Sequence, residues 1–332
     1  MATFKIMTWN VENLFRPSPG APAEDQQRFQ DKLTLLSVVI TQLAPDVVAL
    51  QEVGGNEPLL DLLQALGAAY PHRRASNFPD QRGIRVAFLS KLPFESPTDF
   101  EDFPPGPALD IHDLTPSGGS EPLTHMGRGA LQVDVTKDGR TFSVITAHLK
   151  SKLLTFPSTG GPRFTPRDED ERAQVAGIAL MRRMAEAVTL RIHVNALLTG
   201  NAQRPLLVLG DFNDVPEAQT SLILNGPSGS EIGTGGFDRR DQGDDARLFN
   251  LGPVIPLERR FSRVHQGRGE LLDQIFVSEE LLPFDASNHR QLPVVDSHID
   301  FVDQLPSIGD NPHDRAKAVA PDHAPVTAEF TF

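Results

Sequence analysis

Polar side chains follow several short apolar runs of this sequence, at the positions where predicted strands end. They are carboxylates, carboxamides and histidines, which are the groups that hold hard cations, form hydrogen bonds and move protons in active sites. Because the ends of neighbouring strands converge, residues hundreds of positions apart can line one pocket. The positions concerned are Asn10, Glu12, Gln51, Glu52, His148, Asp211, Asn213, Asp214, Asp273, Asp322 and His323.

Taken singly, each of these residues also has a structural interpretation. Asn10 can simply end a strand, and a lone acidic residue is usually a solvated surface group. His148 on its own is more often a histidine with satisfied hydrogen bonds in the core or at its rim. Asp273 is harder to explain in this way, because it lies in the apolar run 271–275, where an unpaired carboxylate is costly to bury. Asp273 therefore needs a partner, and a histidine is the natural one.

The start of the chain predicts a strand, a helix and a second strand. Alternation over residues 4–9 indicates a strand that ends at Asn10. A helical pattern over residues 29–43 follows and is closed by a proline. Residues 46–50 then predict a short buried strand that delivers Glu52 to its carboxyl end.

Further along, the same patterns predict two more helices and six strands. A short helix is capped by Asn56 and ended by Gly67, and a long helix begins at Thr165. The predicted buried stripe of the long helix consists of Val175, Ile178, Met181, Ala185, Val188 and Ile192. The predicted strands cover residues 84–89, 130–136, 142–147, 206–209, 272–277 and 326–332.

Two segments are too rich in proline or glycine for packed elements. Residues 91–126 contain seven prolines and three glycines, which predicts a long surface loop, either a substrate-facing lip or disordered. Residues 226–243 are glycine-rich and are also predicted to be loop. No repeat and no linker is evident, so a single domain is expected over residues 1–332. Its expected loop insertions lie near residues 91–126, 226–270 and 283–320.

Composition excludes several classes of protein. The chain of 332 residues has 44 acidic and 31 basic residues, a net charge of -13, which argues against gripping nucleic acid by bulk positive potential. The absence of cysteine excludes disulfides and thiolate sites. No apolar run is long enough to cross a bilayer, and no signal-peptide pattern opens the sequence. A cytoplasmic location is the default expectation, and a secreted or periplasmic one stays open if a leader was removed.

Seven short segments carry nearly all of these polar residues. In order they are MTWNVENLF (7–15), VALQEV (48–53), GIRVAFLS (83–90), TAHLKSK (146–152), LVLGDFND (207–214), LLDQIFVS (271–278) and PDHAPV (321–326). Each segment is weak evidence alone, but seven in this order make a chance match improbable. Together they resemble the endonuclease/exonuclease/phosphatase superfamily, the metal-dependent phosphoesterases related to deoxyribonuclease I.

The resemblance implies a fold and a metal site. The fold is a four-layer α/β sandwich of two packed mixed sheets flanked by helices, with the active site at the sheet edges. Glu52 matches the principal metal-binding carboxylate, and Asn10, Glu12 and Asp322 complete the surroundings of the metal. Such oxygen ligands suit Mg2+ or Mn2+, with Ca2+ as a possible supporting ion. One-ion and two-ion schemes use the same carboxylates, so the number of ions stays open.

The resemblance also implies catalytic roles. Asp211 matches the residue that orients or deprotonates the attacking water, and Asn213 matches the donor to a phosphate oxygen. His323, paired with Asp273, matches the histidine that contacts the scissile phosphate. His148 matches a second histidine that is found in the deoxyribonuclease and sphingomyelinase branches. The chemistry agrees, because cations and hydrogen-bond donors stabilise the negative charge of a phosphodiester transition state while a carboxylate activates water.

Four basic residues are candidates for contacts with substrate phosphates, although the alternative that they are ordinary surface cations stays open. They are Arg128, Lys150, Lys152 and Arg172. Arg128 is favoured, because it enters a predicted strand beside the expected cleft and a guanidinium binds phosphate in a bidentate manner.

Two departures from the superfamily pattern bear on these assignments. Pro321 precedes Asp322 where relatives commonly have serine, which removes a hydroxyl and an amide donor. A second acid and histidine cluster at residues 296–300 offers an alternative catalytic pair. We favour Asp322 and His323, because a strand-like segment follows them directly.

Three functions are compatible with the sequence. The first is a nuclease that cuts DNA or RNA by metal-assisted attack of water, and the second is a hydrolase of a small phosphoester such as a phospholipid headgroup, a sugar phosphate or a nucleotide. The third, an inactive binding module, is least favoured because none of the polar positions is replaced. The net charge of -13 disfavours nonspecific binding of duplexes. The expected partner is nucleic acid or another phosphodiester, and no obligate protein partner is evident.

Overall fold

Two six-stranded sheets pack face to face in the computed structural model, and helices cover the outer face of each sheet. The structure describes residues 2–106, 109–161, 163–226, 229–239, 246–301 and 305–332. The predicted four-layer α/β sandwich is therefore confirmed.

The helices and strands are as follows. In chain order the strands are β1 (Thr3–Leu14), β2 (Val47–Val53), β3 (His72–Ala75), β4 (Arg85–Ser90), β5 (Glu95–Asp102), β6 (Ile111–Leu114), β7 (Ser120–Leu123), β8 (His125–Lys137), β9 (Arg140–His148), β10 (Leu206–Asp211), β11 (Leu248–Asn250), β12 (Arg263–His265), β13 (Arg268–Glu270), β14 (Asp273–Ser278), β15 (Val294–Ser297), β16 (Ser307–Ile308) and β17 (Val326–Thr331). The helices are α1 (Ala23–Leu43), α2 (Asn56–Leu66), α3 (Glu169–Leu198) and α4 (Gln219–Asn225).

Each large sheet is mixed, with one parallel pair of strands near its centre. The first sheet has the order β15-β17-β1-β2-β4-β3, and the second has the order β11-β14-β10-β9-β8-β5. The parallel pairs are β1 with β2 and β9 with β10, and the other neighbours in these sheets are antiparallel. Since both strands of a parallel pair end at the same edge, the polar residues that follow them are brought together.

Alternation along the strands decides which residues lie between the sheets. In β1, Phe4 and Ile6 belong to the core between the two sheets, whereas Met7 and Trp9 pack with the side chains of α1 and α2. The period of two then places Asn10 on the same face as Phe4 and Ile6. The ring of Phe4 stacks on that of Phe142 from β9 at 4.1 Å, which joins the sheets.

The second sheet follows the same rule. Leu207 and Leu209 of β10 face the inter-sheet core, whereas Leu206 and Val208 pack with the core that contains residues of α3 and α4. Asp211 therefore lies on the inner face at the end of its strand. By the same alternation His148 ends β9, and Asp273 begins β14, on the inner face.

The predicted elements at the start of the chain are confirmed with small differences at their ends. The apolar positions predicted for α1 are buried, and Gly67 ends α2 as predicted. Asn56 is the first residue of α2 rather than its cap, because Gly55 occupies the capping position.

The prediction of a long loop over residues 91–126 is wrong. Strand β5 forms the edge of the second sheet, strands β6 and β7 pair as a hairpin, and β8 already begins at His125. Proline is tolerated in β5 because an edge strand has one side without ladder hydrogen bonds. Ile111 packs with Ala185 of α3, so the hairpin is held by the helix layer. Residues 107 and 108 lie outside the described part of the chain.

The other two expected insertions also contain strands. β11 and β15 extend the two large sheets at their edges, and β12, β13 and β16 form a small separate sheet. Residues 227, 228 and 240–243 of the predicted glycine-rich loop lie outside the described residues.

The capping residue of helix α3 is Asp168, three residues later than the predicted Thr165, and the buried face of the helix differs from the predicted stripe. Asp168 caps the helix by accepting a hydrogen bond from the Glu171 amide. Met181 and Ile192, which were predicted to be buried, are 43% and 46% exposed. The buried face instead includes Arg183 and Glu186, because α3 packs on a polar part of the second sheet. Apolar periodicity cannot detect such a face.

Within the described residues, no helix is both long enough and apolar enough to pass through a bilayer.

Gly210, directly before Asp211, lets β10 approach β9 closely. Its φ is +153°, and an added Cβ would lie 1.9 Å from the carbonyl oxygen of Ala147. We predict that Gly210→Ala lowers the free energy of unfolding by more than about 3 kcal/mol in urea titrations. Gly177→Ala, on an exposed turn of α3 with open space around it, serves as the control and should stabilise by about 0.5–1 kcal/mol. Equal effects of the two substitutions would contradict this account.

Candidate active site

The carboxylate of Asp211 lies at the centre of the site, buried between the two sheets. Its Oδ2 accepts a hydrogen bond from Asn10 Nδ2 at 2.9 Å, so the two sheets meet at this point. The same oxygen is 3.3 Å from Nε2 of His148 and 3.9 Å from Nε2 of His323. Burial raises the pKa of Asp211 to about 6, and the charge of His323 opposes that shift.

A polar layer below Asp211 connects the sheets. Thr8 Oγ1 donates to Gln51 Oε1 at 3.2 Å, and Gln51 Nε2 donates to Thr146 Oγ1 at 3.1 Å. The three residues are fully buried, and their mutual hydrogen bonds offset the loss of water. This layer fixes the spacing of the sheets below the catalytic groups.

His323 forms a tight pair with Asp273. Nδ1 of His323 is 2.6 Å from Oδ2 of Asp273, and both side chains are buried. The backbone carbonyl of His323 accepts a hydrogen bond from Trp9 Nε1 at 2.8 Å, which fixes the residue on the first sheet. Burial lowers the pKa of His323, but the anions of Asp273, Asp322 and Asp211 outweigh burial and raise it to about 10. His323 is therefore a cation at neutral pH.

His148 is in the opposite state. It is buried, and burial together with the charges of Arg128 and His323 lowers its pKa well below the ordinary value. Its Nδ1 is buried without a hydrogen-bond partner among the described residues. One neutral and one charged histidine thus flank Asp211, and such divergent pKa values are typical of acid and base pairs in active sites.

Asn213 lies two residues after Asp211 in a left-handed conformation, with φ of 52°. Its backbone amide donates to Asp211 Oδ1 at 2.9 Å, and its side-chain amide donates to the carbonyl of Leu149 at 3.0 Å. This tight turn keeps the carboxamide beside the ends of β9 and β10. One of its two amide hydrogens stays available to a ligand.

Bends near the ends of β1 and β2 determine where the side chains of Glu12 and Glu52, two of the predicted metal ligands, are placed. Register shifts occur after Asn10 and after Leu50, and both Glu12 and Glu52 have positive φ values, 48° and 64°. Glu52 Oε2 accepts from the Asn13 amide at 3.0 Å, and Oε1 accepts from Asn10 Nδ2 at 3.4 Å. The bulges therefore turn the carboxylate of Glu52 toward Asn10.

The three predicted acidic ligands share one environment but have different partners. All three lie near the ammonium group of Lys32. Burial lowers the pKa of Lys32, and the negative charges of Glu12, Glu52 and Asp322 raise it. Glu12 is bound by Arg315, and Asp322 lies 3.4 Å from Arg263. The described residues contain no cluster of three or more acidic or histidine side chains arranged around a common metal position. One carboxylate with a nearby carboxamide nevertheless fits Mg2+, which keeps several of its waters in proteins.

The predicted phosphate contacts lie in different places. Arg128 is largely buried, its Nε is 3.2 Å from Asp80 Oδ2, and its Nη1 has no partner within the described structure. The ammonium group of Lys150 donates to the carbonyls of Ser151 and Leu153, and burial lowers its pKa to about 8.

The remaining two cations have partners at the surface. Arg172 is half exposed and pairs with Glu169 on the first turn of α3, and within the described residues it makes no side-chain contact with the cleft. Lys152 pairs with Asp214 and Glu270. Arg128 is thus the strongest of the four candidates.

The glycines on both sides of Arg128 explain its placement. An added Cβ at Gly127 would lie 2.4 Å from the guanidinium of Arg182, and one at Gly129 would lie 2.7 Å from Phe78. The Gly-Arg-Gly sequence therefore lets neighbouring side chains pack closely against the strand that carries Arg128.

Comparison with known proteins identifies the family of this chain. Residues 7–301 match the family model described as the Endonuclease/Exonuclease/phosphatase family. The chain belongs to this family. Its members are phosphoester hydrolases and are generally dependent on divalent metals. No curated protein sequence matches the chain.

Solved structures of this family share the fold at low identity. Truncated TDP2 from Caenorhabditis elegans has a TM-score of 0.56 and 14% identity, over 99% of this chain and 98% of that one. The human Nocturnin catalytic domain with bound sulfate has a TM-score of 0.53 and 16% identity, over 99% and 93%. TDP2 from D. rerio in complex with a single-strand DNA product has a TM-score of 0.53 and 14% identity, over 100% of both chains.

Several residues that hold the candidate site residues in place are not among the sequence-predicted ones. Asp80 orients Arg128, and buried Glu186 accepts hydrogen bonds from the amides of Gly127 and Lys150 at 2.9 and 2.6 Å. Arg315 is the partner of Glu12. The glycines around Arg128 were a signal of close packing, but nothing in the sequence indicates which side chains approach them.

The acid and histidine cluster at residues 296–300 has other partners. His298 Nε2 is 2.8 Å from Thr327 Oγ1, and Arg259 pairs with both Asp296 and Asp300. The pairing of Asp273 with His323 supports the preferred assignment over this alternative.

We predict that His323→Ala and Asp211→Ala each lower kcat by at least about a hundredfold, because the superfamily pattern assigns each group to direct contact with the scissile phosphate or the attacking water. His298→Gln is the control, and its kcat should stay within about threefold once the folded fraction is taken into account. The comparison requires steady-state rates on one phosphodiester at saturating metal. Loss of activity in His298→Gln with retention in His323→Ala would reverse the assignment.

Proposed function

We propose that the protein is a divalent-metal-dependent phosphodiester hydrolase that acts on nucleic acid. The observation that carries the proposal is the placement of Asp211 between neutral His148 and cationic His323, at the junction of the two sheets. A phosphodiester at this position would meet a carboxylate for the attacking water and a fixed positive charge for its oxygens.

The pKa values support these roles. A pKa of about 6 leaves Asp211 mostly ionised at neutral pH, so it can accept a proton from water and orient the attack. His323 stays charged because Asp273 holds its Nδ1, and its Nε2 is then a donor toward a phosphate oxygen. His148 and Asn213 supply further hydrogen bonds to the same group.

The metal site is proposed around Glu52, with the carboxamide of Asn10 beside it. A bound divalent cation would stabilise the negative charge on the phosphate and leaving oxygens. Asn10 contacts both Glu52 and Asp211, so it links the proposed metal ligand to the proposed base. Mg2+ is the ion that we expect, and Mn2+ is an alternative.

Charge distribution favours a polyanionic substrate. Although the chain has a net charge of -13, His148 is surrounded by positive groups whose charges lower its pKa. These are Arg128, His323, Arg82 and Lys150. A positive cleft on an otherwise acidic protein attracts phosphate groups to the cleft, whereas the rest of the surface does not attract them. The TDP2 structure with a single-strand DNA product shows that this fold can hold nucleic acid in another protein.

We predict that the protein cleaves single-stranded DNA or RNA with Mg2+ or Mn2+ and is inactive in excess chelator. The test compares plasmid DNA, single-stranded DNA, RNA, bis-p-nitrophenyl phosphate, sphingomyelin and a phosphate monoester under the same conditions. Activity confined to the monoester or to sphingomyelin would favour the small-phosphoester alternative. Full digestion of DNA in excess chelator would contradict the metal requirement.

Arg128 should contribute to substrate binding more than to turnover. We predict that Arg128→Glu raises KM by at least about tenfold and lowers kcat less, because a guanidinium with an unpartnered Nη1 is replaced by an anion. Arg73→Glu on the exposed part of edge strand β3 reverses the same charge outside the cleft and is the matched control. Equal KM changes in the two variants would remove Arg128 from the binding site.

A further inference from the structure

Glu12, the acid of the Asn-Val-Glu segment at the end of β1, has both carboxylate oxygens bound by one arginine. Nε of Arg315 donates to Oε1 at 2.8 Å, and Nη2 donates to Oε2 at 2.8 Å. This is the bidentate geometry in which arginine binds a carboxylate most strongly. The pair is mostly buried, with 14% of the Glu12 side chain and 20% of the Arg315 side chain exposed.

The arginine of this pair is itself held in place. Nη2 of Arg315 also donates to the carbonyl of Ala320 at 2.6 Å, and Arg315 ends a short 3-10 turn, Pro312–Arg315. On the other side, Nζ of Lys32 donates to the backbone carbonyl of Glu12 at 2.5 Å. Lys32 thus holds the backbone of Glu12 and Arg315 holds its carboxylate, and a divalent ion placed on that carboxylate would be repelled by the guanidinium bound to it.

Asp322 also lies beside a guanidinium. Its Oδ2 is 3.4 Å from Nε of Arg263, which enters from β12. Asp322 directly precedes His323, and its charge contributes to the raised pKa of that histidine. Its charge thus already faces several cationic side chains.

Glu52 differs from both. The hydrogen bonds that its carboxylate receives within the described residues come from the amide of Asn13 and the carboxamide of Asn10. The ammonium group of Lys32 is near all three acids and does not distinguish them, but Glu52 has no guanidinium partner in the described structure, unlike Glu12 and Asp322. Neutral donors orient a carboxylate and leave more of its negative charge available to a metal ion.

We propose that Arg315 is a fixed cation that keeps a metal ion off Glu12, so that Glu52, which the superfamily pattern already assigns to the metal, is left as the one acidic ligand of a single ion. The inference rests on the proposed function, because it concerns the metal of that same site. It assigns the site a single divalent ion, and it gives the 3-10 turn at Pro312–Arg315 a function in setting that number.

The test measures Mn2+ binding directly, by electron paramagnetic resonance of the free ion during titration of the full chain without substrate. Wild-type protein should bind one Mn2+. Glu52→Gln should weaken that site by at least about tenfold, whereas Glu12→Gln should leave its affinity within about threefold. Arg315→Met should bind a second Mn2+, and the double variant Arg315→Met with Glu12→Gln should return to one.

The outcomes separate the inference from the proposed function. If wild-type protein binds no Mn2+, the proposed metal site itself is wrong. If wild-type protein binds Mn2+ and Glu12→Gln weakens it as much as Glu52→Gln does, the proposed function stands and the inference fails. The inference also fails if wild-type protein binds two Mn2+ ions. It fails likewise if the folded Arg315→Met variant still binds one Mn2+ with unchanged affinity. Thermal unfolding shows whether each variant is folded, and the Glu12→Gln comparison decides the question if Arg315→Met is not.

Discussion

A carboxylate buried between two apolar sheets is costly unless donors or cations meet it, and Asp211 is such a carboxylate. It is 1% exposed, and its two oxygens face Asn10, the Asn213 amide and two histidines. The charge of His323 and the hydrogen bonds from Asn10 and the Asn213 amide oppose burial, but burial prevails and the pKa of Asp211 stays raised. A carboxylate whose pKa is raised in this way is a stronger base than a solvated aspartate.

The charge of His323 in turn depends on Asp273. A histidine this deeply buried would lose its proton without an anion at 2.6 Å, and its neighbour His148 shows that outcome. The two imidazoles are equally buried, and they differ in protonation because Asp273 contacts Nδ1 of His323 whereas Nδ1 of His148 has no partner among the described residues. Asp273 belongs to the second sheet, whereas the His323 backbone is bound by Trp9 of the first sheet. The pair therefore holds only while the two sheets keep their spacing.

Much of this arrangement could be predicted from the sequence, because strands have a period of two. Once residues 4–9 and 206–209 are recognised as strands, Asn10 and Asp211 must lie on the faces set by their apolar neighbours. The need of Asp273 for a histidine was likewise visible in its apolar surroundings. His323 was preferred over His298 because a strand-like segment directly follows it. In the structure Asp273 contacts His323, at 2.6 Å.

Other features could not be predicted, since they depend on long-range contacts without a periodic signal. Arg183 and Glu186 lie on the buried face of α3 and bind the carbonyl and the amide of Lys150, so the helix is held by polar groups where an apolar stripe was expected. The strands β5 to β7 were missed because prolines and glycines hide an edge strand and a hairpin. Both errors arise where tertiary packing overrides local preference.

The segments expected to be loop insertions each place an arginine beside one of the predicted acidic metal ligands. Residues 226–270 supply Arg263, and residues 283–320 supply Arg315, and each guanidinium lies against an acid that the superfamily pattern assigns to the metal. Arg263 lies on β12, which pairs with β13 and β16, and residue 263 bridges to His323. Arg315 ends the 3-10 turn Pro312–Arg315, and its guanidinium is held by hydrogen bonds to Glu12 and to the carbonyl of Ala320. The insertions therefore place positive charge beside two of the three predicted acidic metal ligands, and this charge reduces the negative charge that the cleft offers to a metal ion.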